Sequence, residues 1–355
     1  MKNVFIADRE IGPDQAPYIV AELSGNHQGS LDRALKLLEE AAACGVDAVK
    51  LQTFTADTIT IDHDGPGFVV HGGLWDGRRL HDLYREAHTP YEWHAPLFQR
   101  GRELGVTVFS SPFDETAVDL LESLDAPAYK IASFEAIDLP LIARAAHTGK
   151  PLIISTGMAS EAEITEAVAC ARGLGAGGLI LLHCVSTYPA RYEAANLATI
   201  GDLAARFGCV VGLSDHTPGT AAAVAATALG AAFIEKHFCM SRAEGGVDSA
   251  FSLEPAEMRA LVSDCRNAHA AIGAVNYTRS PAERENRQFR RSLYAVAAIA
   301  AGELFTPENV RSIRPGFGLA PKHIDVVLGA RATRAIEFGE PLAWDMIAAT
   351  AEDAA

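Results

Sequence analysis

The runs VVGLSDH (Val210–His216) and FIEKHF (Phe233–Phe238) are built alike, with an apolar, β-prone start and an end that carries a carboxylate and a histidine. Six similar runs precede them: YIVAEL (Tyr18–Leu23), AVKLQTF (Ala48–Phe54), TVFSSPF (Thr107–Phe113), AYKIAS (Ala128–Ser133), PLIIST (Pro151–Thr156) and LILLHCV (Leu179–Val185). They recur roughly every 25–40 residues with helical stretches between them, as strand–helix units do. Those stretches include LDRALKLLEEAAACG (31–45), ETAVDLLESL (115–124), EAEITEAVACARGLG (161–175) and AEMRALVSDCRNAHAAIG (256–273), several ending in a glycine suited to a helix C-cap. Eight such units predict an α/β chain closed into a (β/α)₈ TIM barrel. An open doubly wound sheet is the alternative, but no G-x-G-x-x-G follows the first strand.

The periodicity assigns residues 1–275 to the barrel. Residues 276–291 (NYTRSPAERENRQFRR) are polar and charged, and read as a linker. From Ser292 to the end the text changes to short β-like runs (SLYAVAAI, NVRSIRPG, RATRAI) separated by turn signals, which predicts a small all-β domain over 292–355. The connection from Ala56 to Pro90 is long for a βα loop and rich in Gly, His and Asp, so it is expected to shape a binding site.

Composition narrows the partners. The chain has 355 residues, 49% of them apolar, and a formal charge of −15, which repels phosphate backbones and anionic lipid; no nucleic acid or membrane partner is expected. Six scattered cysteines without a C-x-x-C pair read as reduced thiols, and no apolar run approaches the roughly 20 residues of a membrane span, so a cytoplasmic protein is expected.

Barrel enzymes gather their chemistry at the C-terminal ends of the strands. Here those ends carry Glu22, Lys50, Gln52, Ser110, Ser111, Lys130, Ser133, Ser155, Thr156, His183, Ser214, Asp215, His216, Glu235 and His237. Lys50 and Lys130 lie in apolar strands, where an ammonium needs either a neighbouring glutamate or an anionic ligand; with Ser111, Ser133 and Ser214 nearby, a phosphate or carboxylate site is favoured. His216 and His237 end consecutive strands and can converge on one divalent ion, or be hydrogen-bonded core histidines. Asp215, Glu235 and Asp248 can orient those rings or bind substrate hydroxyls, and Asp248 can equally be a solvated loop acid. Glu22, at the end of a core strand, suits a general acid or base. Asn26 and Ser30 read as caps of the next helix. Tyr188 can pack on Pro189, and Arg314 in SIRPGFG can be a solvated turn charge.

In order along the chain, AELSGNH, KLQTFTADT, FSSPFD, YKIASFE, ISTGM, LLHCVSTYP, GLSDHTPG and IEKHF resemble the sialic acid synthase family. The tail RRSLYAV…GELFTPENVRSIRPGFGL…GEPLAWDMI resembles that family's antifreeze-like (SAF, β-clip) domain. GGLWDG (72–77), EAHTP (86–90) and ENRQFRRSLYAV look like its pseudaminic acid synthase branch rather than the N-acetylneuraminate or legionaminate branches. The resemblance implies a transferase that condenses phosphoenolpyruvate with an amino sugar such as 2,4-diacetamido-2,4,6-trideoxy-L-altrose and releases phosphate. It implies His216 and His237 as ligands of a divalent metal, Mn²⁺ with Mg²⁺ or Co²⁺ as substitutes. It makes Lys50, Ser111, Lys130, Ser133 and Ser214 phosphoenolpyruvate contacts. Ser186 is placed with them, although neuraminate synthases can carry Asn there. Glu22, Gln52, Tyr188, Glu235 and Asp248 would face the sugar or the reacting carbons, and a domain-swapped homodimer would bring Arg314 into the partner's site. Two rival classes stay open at this point, a barrel metal-dependent hydrolase, which often needs an H-x-H pair where this chain has only His27, and a non-catalytic carbohydrate-binding protein.

Overall fold

The computed structural model describes residues 2–278 and 280–348, and the chain divides after Gly273 into two compact units. The first unit opens with an antiparallel hairpin, β1 (Val4–Ile6) and β2 (Arg9–Ile11). Eight parallel strands follow: β3 (Tyr18–Glu22), β4 (Ala48–Thr53), β5 (Thr107–Pro112), β6 (Tyr129–Ile131), β7 (Leu152–Ser155), β8 (Leu179–Cys184), β9 (Val210–Asp215) and β10 (Phe233–His237). Each pairs with the next, and β10 pairs with β3 to close the barrel, His237 lying opposite Glu22 and Glu22 opposite Lys50. All eight expected strands are present, each shortened by one to three residues.

Between the strands run α1 (Leu31–Ala43), α2 (Ala56–Ile59), α3 (Leu80–Ala87), α4 (Tyr91–Leu104), α5 (Glu115–Ser123), α6 (Leu139–Ala146), α7 (Glu161–Gly173), α8 (Thr199–Phe207) and α9 (Ala221–Ala228), with α10 (Pro255–Ile272) after the last strand. Local chemistry starts them where the strands end. Ser30 accepts from the Arg33 amide, Asp114 from those of Thr116 and Ala117, and Ser160 and Glu163 form a reciprocal capping box. Gly105 and Gly208 take the left-handed conformation that closes α4 and α8.

The period-2 alternation of the strands decides what reaches the mouth. Outward-facing Ile19, Ala21, Val49, Leu51, Ile154, Leu181, Val211 and Ile234 pack against the helices. Inward-facing Tyr18, Val20, Phe109, Ile153, Ile180, Leu182 and Phe233 fill the barrel floor, joined by Val4, Ile6 and Ile11 from the N-terminal hairpin. The hairpin therefore plugs the end opposite the C-terminal mouth. One step further along the same inward rows, the residues turn polar: Val20 gives way to Glu22, Ala48 to Lys50, Phe109 to Ser111, Ala128 to Lys130 and Phe233 to Glu235. Gly212 is needed in its row because a Cβ there would sit 2.2 Å from the Phe233 carbonyl oxygen.

The second unit carries α11 (Pro281–Glu285) and a two-stranded antiparallel sheet, β11 (Ser292–Ala295) with β12 (Val310–Ile313). Isolated bridges at Ile299–Ile336, Leu304–Arg331 and Ala332–Ile347 extend the β pairing, so the run RATRAI contributes bridges rather than a strand. A further short helix, α12 (Ile324–Val327), packs its buried Val327 into a core with Leu293, Ile299, Phe305, Val310, Ile336 and Leu342. Among the described residues no helix is long and apolar enough to cross a membrane.

Candidate active site

The polar upper layer of the barrel forms a compact charge network. Lys50 Nζ lies 2.5 Å from Glu22 Oε2 and 3.5 Å from Glu235 Oε1, and Lys130 Nζ lies 3.2 Å from the same Glu235 oxygen. Lys50 also donates to Ser111 Oγ at 3.2 Å, and Ser214 Oγ donates to Glu235 at 3.2 Å. Both lysines thus have glutamate partners, as the simpler sequence reading allowed. Glu235 Oε2 nonetheless remains buried without a hydrogen-bond partner. Burial pushes the Glu22 carboxyl above its usual range despite Lys50, whereas Glu235, which burial alone would raise, is held low by the two ammonium groups. The same balance raises Lys50, because two carboxylates outweigh its burial, and lowers Lys130, where burial prevails.

Above this layer opens a cavity of about 510 Å³, lined among others by Lys50, Gln52, Lys130, Ser133, Tyr188, Ser214, His216, Glu235, His237 and Asp248. The imidazoles of His216 and His237 have centroids 5.3 Å apart, with Phe251 edge-on to both and Tyr188 edge-on to His216 at 4.6 Å. His216 Nδ1 donates to the Val185 carbonyl at 3.1 Å, which leaves Nε2 as the lone-pair nitrogen. Burial lowers His237 well below the usual imidazole range, helped by His216 and the two lysines, so it is neutral at pH 7. Its Nδ1 is buried with no hydrogen-bond partner, 3.8 Å from Asp248 Oδ2. The two imidazoles fit a divalent ion as a nitrogen pair. Burial alone would lower His216, but contact with the Cys184 thiol outweighs it and raises that ring, the opposite direction to His237. Among the described residues no third His, Cys, Asp or Glu completes a protein-only set, so the remaining coordination positions fall to water and substrate.

The spacing of the two histidines has a support on the outer face of the barrel. Lys236, wholly buried between the histidine-bearing strands and the helices, contacts Asp215 Oδ2 at 2.6 Å and the Thr217 carbonyl. Asp215 Oδ1 accepts in turn from the amide and hydroxyl of Thr217, at 2.9 and 2.8 Å. The turn carrying His216 is thereby tied to the strand carrying His237.

The remaining expected residues fall into two groups. Glu22 and Ser111 sit beneath the cavity and reach it through Lys50, while Ser186 meets Ser133 across Gly157, where a Cβ would lie 2.3 and 2.8 Å from their hydroxyl oxygens. Asp248 is buried and accepts from Ser24, which excludes the solvated-acid reading; burial pushes it up to about 6. Arg314 belongs to the second unit, exposed just past β12. Asn26 is not a helix cap. Its side chain donates to the Phe238 carbonyl and to Ser252, both at 2.9 Å, and Ser30 alone caps α1.

Four further residues line the cavity or its floor: Ser155, a strand-end candidate given no role in the sequence, and Ser24, Trp75 and Glu135, which strand periodicity does not single out. Ser24, held at a left-handed φ of 46°, accepts from Gln52 at 3.2 Å and so joins the Glu22 side to Asp248. Ser155 presents a buried, unpartnered hydroxyl. Trp75 reaches from the long loop to donate to the Val247 carbonyl at 3.0 Å and packs on Tyr188. Glu135 stands two residues past Ser133; burial pushes it up to about 7, and its Oε2 has no partner.

A (β/α)₈ barrel that gathers an ammonium–carboxylate floor and two imidazoles at the C-terminal ends of its strands has the layout of a barrel enzyme. Residues 37–277 match the NeuB family and residues 290–348 the SAF domain, and the chain belongs to the NeuB family. It is 44% identical over 329 residues, 93% of this chain and 96% of the relative, to the pseudaminic acid synthase of Campylobacter jejuni. The pseudaminic acid synthase of Helicobacter pylori is 42% identical over 94% of this chain and 98% of its own length. The crystal structure of N-acetylneuraminic acid synthetase from Leptospira borgpetersenii in complex with citrate superposes with a TM-score of 0.72 at 29% identity, over 80% of this chain and 95% of that one.

Between the ordinary carboxylate pKa and about 7 the folded chain holds a proton on Glu135 that the unfolded chain has released, so stability falls as pH rises through that window. Asp248 acts with the same sign up to about 6. Glu135→Gln is expected to melt above the wild type at pH 8 and level with it at pH 5, measured by circular dichroism; a constant difference across pH would contradict the assignment.

Proposed function

We propose that this chain condenses phosphoenolpyruvate with 2,4-diacetamido-2,4,6-trideoxy-L-altrose to give pseudaminic acid and inorganic phosphate. The observation that carries the reading is the juxtaposition, in one cavity, of the Lys50–Lys130 floor with the imidazoles of His216 and His237. The identities of 42–44% to pseudaminic acid synthases over nearly the whole chain support the choice of sugar.

In this reading Lys50, Lys130, Ser111, Ser133, Ser186 and Ser214 bind the phosphate and carboxylate of phosphoenolpyruvate, which exchanges for part of the internal Lys–Glu pairing. His216 and His237 hold the metal, Mn²⁺ with Mg²⁺ or Co²⁺ as substitutes, which when bound supplies a Lewis acid beside the sugar aldehyde. Gln52, Asp248 and Tyr188 take the sugar hydroxyls and fix the aldehyde carbon over C3 of phosphoenolpyruvate. The C2–C3 π electrons form the new C–C bond while the aldehyde C=O π pair moves to its oxygen, which takes a proton from solvent water at the cavity mouth. C2 becomes cationic, and the carboxylates of Glu22 and Glu235 below it favour that charge. Water adds at C2 and gives its proton to Glu135, whose pKa of about 7 suits a general base at neutral pH. The C2–O bond to phosphate then breaks as the C2 hydroxyl becomes the ketone, its proton passing to the departing phosphate, whose charge Lys50 and Lys130 stabilise.

The same reading includes a homodimer in which the second unit of one protomer covers the barrel of the other and offers Arg314. Exposed Phe134, Ile137 and Met158 near the strand ends of the barrel, and exposed Phe317 beside Arg314, support such a cover. A cytoplasmic location is part of it, in keeping with six unpaired cysteines.

Two experiments test this reading. Phosphate release from phosphoenolpyruvate is expected with the altrose-configured diacetamido sugar and not with N-acetylmannosamine, to vanish with EDTA and to return with Mn²⁺; turnover with N-acetylmannosamine alone would overturn the substrate. Mixing inactive His216→Ala and Arg314→Ala chains after subunit exchange is expected to restore about a quarter of wild-type activity, through heterodimers with one intact site. Absence of recovery would contradict the shared site.

A further inference from the structure

The cavity has two chemically different sides. The barrel order puts β4 and β5 diametrically across from β8 and β9, the side on which Tyr188 and His216 stand. Above β4 and β5 the lining beyond Gln52 is mostly apolar: Phe54, Phe113, Val70, Leu80 and Leu83 border the cavity, with Tyr84 of α3 edge-on to Phe54 at 5.8 Å. Phe54 packs edge-on against Phe113 at 5.1 Å, so these two rings form one backing surface.

The other three come from the long Ala56–Pro90 connection, which folds for this purpose. Val69 bridges Arg79, the Val70 amide donates to the Arg78 carbonyl at 2.8 Å, and the Gly77 amide returns to the Val70 carbonyl at 2.9 Å. That hairpin leads directly into α3, where Leu80, Leu83 and Ala87 recur at helical spacing on the cavity side. Trp75 at the hairpin tip is anchored across the cavity on the Val247 carbonyl, which holds the hairpin over the mouth.

A sugar whose aldehyde lies by the imidazoles extends its far carbons toward this wall. A hydroxyl pressed against Val70, Leu80 and Leu83 would lose its hydrogen bonds to water without a partner among them, whereas a methyl group gains by the same transfer. We propose that Val70, Leu80 and Leu83, backed by Phe54 and Phe113, form the subsite for the deoxygenated C6 end of the sugar and select 6-deoxy over 6-hydroxy substrates. This inference rests on the condensing function proposed above and adds the residues that choose among amino sugars.

The test compares kcat/KM for 2,4-diacetamido-2,4,6-trideoxy-L-altrose and for its 6-hydroxy counterpart, in wild type, Val70→Thr and Leu80→Gln. Val70→Thr keeps the side-chain volume, and thermal melts of both variants report folding. The wild type is expected to favour the 6-deoxy sugar by about 10- to 100-fold, the range an apolar pocket can deliver. Each variant should shrink that ratio several-fold, with the KM for phosphoenolpyruvate unchanged. An equal loss on both sugars, or a wild-type ratio near one, overturns the subsite while leaving the condensing function in place. Failure of the wild type to release phosphate with either sugar refutes the condensing function itself, and the subsite with it.

Discussion

Four charged groups share the inner layer of one barrel, and the rest of the site is arranged around them. Lys50 bridges Glu22 and Glu235, and Lys130 closes on Glu235, in a region where all four side chains are almost fully buried. Removing such charges from water costs several kcal/mol each, and their mutual attraction does no more than offset it, so the network is a weak source of stability. Its value lies in being assembled before substrate arrives. In the proposed function, an anion entering from above meets ammonium groups already dehydrated and paired with glutamates of two neighbouring strands, and displaces only those internal partners.

The barrel makes this possible by a simple rule applied eight times. Most strands bury one or two apolar inward residues at the base and present a polar one at the top, so a single alternation supplies both core and chemistry. The N-terminal hairpin completes the base with Val4, Ile6 and Ile11, and keeps the interior dry beneath the charges. On the outer face the Lys236–Asp215 pair does for the two histidines what Glu22 and Glu235 do for the lysines. It uses a buried ion pair to hold adjacent strand ends in one relation.

Much of this was legible in the sequence, because apolar starts and polar ends of strands are local patterns. Lys50, Lys130, His216 and His237 stood out as polar residues within or at the end of otherwise apolar runs. Which glutamate would neutralise which lysine was not legible, since the contact of Lys50 with Glu235 depends on barrel closure between β10 and β3. Glu135 and Ser24 lie in single helical turns just beyond their strands, where periodicity says nothing. The N-terminal hairpin is not legible in the sequence because strands of three residues are too short to show alternation. Asn26 was misread because capping and cross-loop roles demand the same side chain, and only the tertiary position of Phe238 and Ser252 separates them.

In the proposed function the buried lysines are an anion site held ready, separate from the histidine pair above it. Calorimetric titration of phosphoenolpyruvate and, separately, of Mn²⁺ into wild type and Lys130→Met measures this directly. The account predicts that the variant binds Mn²⁺ as the wild type does and loses at least tenfold in phosphoenolpyruvate affinity, the loss of one charge-assisted contact. Unchanged phosphoenolpyruvate affinity in a folded Lys130→Met protein would contradict it.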